Sequence, residues 1–254
     1  MTGPRLPRLS SLLCLLAWLA LGASGSAAGL ERYLVAHWTV RDGALQSEPP
    51  DLPFVEGNPR AAGPAGIADG LLRLGTDHLL MAREMNPARF PALAGGVTIW
   101  ARLRLDGLAP VETAFLFGLA DQDAPAEWKS MALAVLYHAT GDTPGFGPFA
   151  TLDSGASLGV GPSRLLPAKA GEDLTVGLAF DGISNTVTLW VNGASVSQSV
   201  PAAAATRLKA FQCLSLGRLK GVGAVPVSFR EVRVYSVPLP PEWIGEVGAD
   251  DPAN

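Results

Sequence analysis

The chain has 254 residues, 48% of them hydrophobic and 17% charged, with 19 Lys+Arg against 23 Asp+Glu. That acidic balance argues against nucleic acid or an anionic membrane surface as the main partner, since both are bound through clustered basic residues. With Cys14 and Cys213 as its only cysteines, the chain cannot carry a disulfide framework.

Residues 1–28 read as a secretory signal peptide. Arg5 and Arg8 precede an apolar run, Leu12 to Leu21, and small residues follow to Ser26-Ala27-Ala28, the expected cleavage site. The run is shorter than the roughly 20 residues a membrane span needs, so no span remains after cleavage. Export to a periplasm, a cell surface or the medium is the expected localisation. Cleavage removes two basic residues and no acidic one, which takes the net charge from −4 to −6. Cys213 is then the only thiol. It lies in the apolar run Phe211 to Leu216 and is expected to be a buried small hydrophobe. Residues 29–247 are expected to form one domain, and 248–254 a polar tail with little reason to order.

Within the domain the signals are those of strands. Tyr33 to Val40 reads as the first, and Arg41 to Gly66 as a long Pro- and Gly-rich surface connection. Leu71 to Leu74 and His78 to Ala82 flank Gly75-Thr76-Asp77, and Asn86 to Gly96 reads as a turn or short helical excursion. In Val97 to Leu105, alternation puts Val97, Ile99, Ala101, Leu103 and Leu105 on one face and Thr98, Trp100, Arg102 and Arg104 on the other. Ala114 to Leu119, Met131 to His138, Phe149 to Asp153 and Ser157 to Val160 follow.

The clearest grammar lies between Glu172 and Gly193. Val176, Leu178 and Phe180 alternate with small or polar residues, Asp181-Gly182 breaks the run, and Val187, Leu189 and Val191 alternate again before Asn192-Gly193. This predicts two antiparallel strands joined by a turn and followed by a second tight hairpin. Asp181 and Asn185 are expected to serve the turn itself. Val200 to Thr206 reads as an Ala-rich connection, Phe211 to Gly217 and Val225 to Val237 as closing strands, and Pro240 to Ile244 as one helical turn.

The hairpin T-V-T-L-W-V-N-G after Asp181-Gly182 resembles the central hairpin of laminin G-like modules in the concanavalin A-like lectin/glucanase superfamily. Leu34 to Trp38, Ala68 to Leu74, Val97 to Leu103 and Phe229 to Tyr235, followed by Pro238 to Glu242, are similar to other strands of that family and occur in its order. The resemblance implies an all-β fold, a two-sheet antiparallel jelly-roll β-sandwich. The superfamily's glucanases carry Glu-x-Asp-x-x-Glu on one strand, and no such spacing occurs in this chain. His37, His78 and His138 make no zinc spacing, and there is no Gly-x-Ser-x-Gly elbow. His37 is expected to be a hydrogen-bonded structural histidine.

The expectation is therefore a non-catalytic recognition module that binds a glycan or an extracellular protein through its rim loops or a concave sheet. Two alternatives stay open: a glycoside hydrolase or polysaccharide lyase with an unfamiliar site, and a structural or assembly module without a small ligand. Candidate ligand-binding residues are Trp100, Arg102, Trp128, His138, Asp142 and Trp190. Trp100 could equally be covered by a loop, with the arginines as surface charge. Asp121 and Asp123, close together in the loop that also holds Glu127 and Trp128, are the candidate ligands for a calcium ion, which binds through oxygens.

Overall fold

In the computed structural model, residues 29–58, 61, 65–107, 112–120, 131–139, 144–151, 157–159, 165–218 and 223–247 are described. The expected signal peptide and tail, the loop with Asp121, Asp123 and Trp128, and Asp142 lie outside the described residues.

Two sheets pack face to face as a β-sandwich, antiparallel apart from one two-residue parallel pairing. The first sheet contains β1 (Leu34–Arg41), β2 (Ala44–Glu48), β4 (Gly66–Ala68), β5 (Leu71–Leu74), β7 (Gly96–Leu105), β13 (Asp173–Asp181), β14 (Thr186–Val191), β15 (Ala194–Ser199) and β18 (Val227–Tyr235). Its order is β15-β14-β13-β7-β18-β1-β2, and β5 continues the edge of β18 that β1 occupies. The second contains β3 (Phe54–Glu56), β6 (Leu79–Arg83), β8 (Thr113–Ala120), β9 (Met131–His138), β10 (Gly145–Thr151), β11 (Ser157–Gly159), β12 (Leu166–Pro167), β16 (Cys213–Gly217) and β17 (Gly223–Ala224). Its order is β11-β10-β9-β8-β16-β6-β3, with β12 on β10 and the parallel β17 on β8. Among the described residues two short α-helices, α1 (Ala202–Leu208) and α2 (Pro241–Glu246), and two single 3-10 turns, Glu31–Tyr33 and Pro91–Ala94, complete the domain. Among the described residues no helix is long and apolar enough to cross a membrane.

Alternation along the strands decides what fills the sandwich. The core between the sheets takes the predicted face of β7, from Val97 to Leu105, with Val176, Leu178 and Phe180 of β13 and Val187, Leu189 and Val191 of β14. Trp38 of β1 lies in the same core. Its indole donates to the Leu52 carbonyl at 2.8 Å, and its ring packs at 4.7 Å on Phe54. Cys213 is fully buried, as expected, in an apolar cluster with Phe115, Ala134 and Leu136.

The central turns form as the sequence dictates. Asp181 Oδ1 accepts from the Ile183 amide at 2.8 Å, and Oδ2 takes the Ser184 hydroxyl at 2.7 Å, so this aspartate serves the turn. Asn192 and Gly193 both have positive φ, 46° and 94°, as a tight two-residue hairpin requires. Asn192 also lends its side chain to β13, where Oδ1 accepts from the Thr175 amide at 2.8 Å.

Two segments depart from the sequence reading. Arg41 to Gly66 is more than a surface connection: Asp42 and Gly43 adopt positive φ and turn the chain straight back, so that β2 pairs with β1 before the prolines intervene. The Ala-rich segment after Pro201 forms α1, which buries Ala204, Ala205 and Leu208. Alanine is the best helix former, and a buried helical face outweighs the expectation of a loop.

Candidate functional site

The outer face of the first sheet carries the predicted aromatic and basic residues. The ladder pairs Trp190 with Gly177, Gly177 with Trp100, Trp100 with Arg233 and Arg233 with His37, a single row across five strands. The next row runs Thr175, Arg102, Glu231 and Thr39. A bulge between Phe229 and Glu231 places Arg230 beside this second row.

The first row is covered. Ile244, Val247 and Leu239, in and beside α2, pack on Trp100, Trp190 and Tyr235, together with Leu30 from the start of the domain. Gly177 makes the seat: a Cβ there would meet Ile244 Cγ2 at 2.7 Å. The Trp100 indole donates to the Ile244 carbonyl at 3.0 Å, and Arg233 Nη1 donates to the Val247 carbonyl at 3.1 Å while its guanidinium lies 5.3 Å from the Trp100 ring. Thr98 fixes the approach of this segment by donating to the Val237 carbonyl and accepting from the Leu239 amide, both at 2.8 Å. Trp100 is 0% exposed and Trp190 6%, so neither offers the ligand platform the sequence suggested. The covered reading holds, with a helix in place of a loop. An indole buries its large apolar body readily once its N–H has an acceptor.

Under the same cover lies a buried ionic cluster. Glu231 is 4% exposed, and its Oε1 is 2.7 Å from His37 Nε2 and 2.5 Å from Arg233 Nε. Burial alone would push the Glu231 carboxyl up, but His37 and Arg233 outweigh it and hold the group below its ordinary value. Burial likewise works to lower Arg233, and Glu231 overrides it. His37 is buried against Glu231, as a structural histidine would be, but its Nε2 lies 2.7 Å from the carboxylate without hydrogen-bond geometry, so the expected hydrogen bond is not made there.

Arg102 is in the opposite situation. Its register neighbour Glu231 is turned toward His37 and Arg233, and among the described residues Arg102 has no hydrogen-bond or ion-pair partner. Its Nη1 is nevertheless buried and unsatisfied, at a cost of about 1–3 kcal/mol for such a donor. Beyond the edge of the cover the sheet opens into a cavity of about 280 Å³, lined by Arg102, Arg230, Thr175, Asp173 and Leu71. Arg230 and Asp173 are exposed and also unpaired, whereas nearby Arg104 donates to Asp106 at 3.1 Å. Alternation singles out Arg102. It does not reveal Arg230, Thr175 or Asp173, whose proximity depends on the bulge and on the β7–β13 register.

The other candidates lie elsewhere or outside the described residues. His138 ends β9 in the second sheet, with Nδ1 3.3 Å from the Thr113 hydroxyl, and burial lowers its pKa. The structure does not bring it to Arg102. Trp128, Asp142, Asp121 and Asp123 are outside the described residues. Among the described residues no group of three or more His, Cys, Asp or Glu could hold a metal ion.

No protein-family model and no curated protein matches the chain. Solved structures do resemble it in fold. Trypanosoma rangeli sialidase in complex with sialic acid superposes with a TM-score of 0.60 at 14% identity, over 85% of this chain and 32% of that one. A structure from work on cell entry of botulinum neurotoxin type C, dependent upon interaction with two ganglioside molecules, gives 0.59 at 8% identity over 85% and 51%. The binding domain of botulinum neurotoxin serotype D/C gives 0.58 at 9% over the same shares. The chain therefore spans about a third to a half of these proteins, and the likeness is one of fold.

Proposed function

We propose that this chain is an exported, laminin G-like recognition module without catalytic activity, and that it binds a saccharide on the outer face of its first sheet. The observation that carries this reading is the open cavity beside Arg102, where polar side chains converge on an otherwise covered sheet face. A site with one charged donor already desolvated suits a hydroxyl-rich ligand better than an apolar one. Support also comes from the ligands of proteins that share the fold, sialic acid for the sialidase and gangliosides for the type C neurotoxin. Calcium on Asp121 and Asp123 belongs to the same reading, as a support for the rim.

The test is a thermal-shift screen of the purified protein against a panel of neutral and acidic oligosaccharides, in chelator and then in about millimolar calcium. A ligand that binds only the folded state raises the melting temperature by mass action. At least one saccharide is expected to do so, and silence across the panel at millimolar concentration overturns the reading. A calcium-dependent rise lost in Asp121→Ala/Asp123→Ala assigns the ion to that loop, and no rise removes it.

A further inference from the structure

The cavity beside Arg102 has a chemical character that narrows its ligand. We infer that it is an oxyanion subsite, built to take the carboxylate or sulfate group of an acidic sugar. The inference deepens the saccharide reading and rests on it for the sugar, but its anion-binding part stands on geometry of its own.

The argument begins with how the charges on this face are shared. Four arginines, Arg102, Arg104, Arg230 and Arg233, project from β7 and β18 on the outer side or at the bulge. Two are neutralised inside the protein: Arg233 by Glu231 at 2.5 Å, and Arg104 by Asp106 at 3.1 Å. Arg102 and Arg230 are the two left over, and both line the cavity. Glu231 lies beside Arg102 in the ladder and would be its natural partner, but its Oε1 is drawn to His37 and Arg233, and no hydrogen bond or ion pair joins it to Arg102 among the described residues.

Position adds to charge. Arg102 is part-buried, its Nη1 is closed off from solvent, and no acceptor reaches it. Where Arg102 lines the cavity its guanidinium offers a planar fork, which carboxylates and sulfates match in pairs of parallel hydrogen bonds. Arg230 approaches from the bulge and supplies a second cation. The Thr175 hydroxyl has no partner among the described residues, and the backbone beneath it is held by Asn192 Oδ1 at 2.8 Å, so the cavity wall offers a free hydroxyl at a set place. Among the described residues Asp173, also without a partner, is the one carboxylate in the lining. A simple anion binds the two arginines against the drag of this carboxylate, whereas an acidic sugar uses both signs: its acid group faces Arg102 and Arg230, and its ring hydroxyls donate to Asp173. That pairing favours a sugar acid over free phosphate or a lipid headgroup.

The experiment titrates the purified protein by calorimetry with three probes: trigalacturonate, its carboxyl-reduced neutral counterpart, and a sulfated neutral trisaccharide. In parallel, the guanidinium Nε–H resonance of Arg102 is followed by NMR during titration with acetate and with inorganic sulfate. One or both acidic trisaccharides are expected to bind at least about tenfold more tightly than the neutral one, the scale of one charge-assisted hydrogen bond. Whichever acid binds identifies the carboxylate or the sulfate as the natural group. Arg230→Ala and Arg102→Ala should each weaken that binding about tenfold, Arg102→Lys should fall between, and Arg104→Ala should leave it unchanged. Arg230 is exposed, so its variant folds even if Arg102→Ala does not.

Equal binding of the neutral and acidic probes overturns the oxyanion subsite and leaves saccharide recognition standing. An Arg102 resonance that moves with acetate or sulfate, while every saccharide is silent, keeps the anion site and overturns the sugar reading. A stationary Arg102 resonance together with no preference for acidic probes removes the subsite altogether.

Discussion

Arg233 and Arg102 occupy the same face of the same sheet, one row apart, and have opposite fates. Arg233 lies under α2 with its charge met by Glu231, a nitrogen on the Val247 carbonyl and its plane near Trp100. Arg102 lies just past the edge of that cover with no partner and a buried, unsatisfied nitrogen. A covered cation that is fully paired belongs to the architecture. An unpaired one at the mouth of a cavity is available to a ligand. The edge of the cover, which leaves Glu231 inside and Arg102 outside, divides the face into a closed half that supports and an open half that can recognise.

The comparison can be broken hardest in the closed half. Arg233→Ala leaves the buried Glu231 carboxylate with His37 alone and should cost about 3–5 kcal/mol, measured by denaturant unfolding. A cost near zero would mean that α2 does not sit on the sheet in solution. Ile244→Ala empties the seat over Gly177 and should cost about 2–5 kcal/mol. It should also red-shift the tryptophan emission as Trp100 and Trp190 become wet. An unchanged spectrum would show that some other segment keeps the closed half closed.

Acid should dissolve the same cluster in a defined direction. Glu231 is held below its ordinary value of 4.5, so its contribution is fully present above that pH and is lost as pH falls through the lower folded value. Glu231→Gln should be destabilised by about 1–3 kcal/mol at pH 7, the scale of lost hydrogen bonds to charged groups. The gap from wild type should narrow as pH falls below 4.5. A gap that holds constant into acid would show that the carboxylate charge contributes nothing.

Much of the closed half was legible in the sequence. Alternation in β7, β13 and β14 gave the two faces, Asn192-Gly193 gave the hairpin, and Pro240 to Ile244 gave a helical turn. What alternation cannot say is what lies on top of a face. Trp100, Trp190 and Arg102 have the same outward signal, and only the path of the chain after Tyr235 separates the two that are buried from the one that is not. Arg230, Thr175 and Asp173 were illegible for a second reason. They meet Arg102 through ladder register and a bulge, properties of strands far apart in the chain. Arg41 to Gly66 misled because its prolines and glycines masked the Asp42-Gly43 turn that returns β2 to the sheet.

The smallest predicted effect separates the two halves most cleanly, because its sign is what matters. Arg102→Met keeps a long apolar stem on the sheet and removes the charged head. If Arg102 were an internal structural group like Arg233, the loss would cost several kcal/mol. As an unpaired cation with a buried nitrogen, it is a net burden on the free protein. Its removal should leave stability within about 0.5 kcal/mol or raise it by up to about 1 kcal/mol, since the penalty for an unsatisfied donor is relieved while little packing is lost. The measurement is a urea melt of Arg102→Met beside Arg233→Met at neutral pH. Equal destabilisation of the two would show that Arg102 has an internal partner and that the open half is as structural as the closed one. A neutral Arg102→Met beside a crippled Arg233→Met would mean that the free fold does not need this arginine.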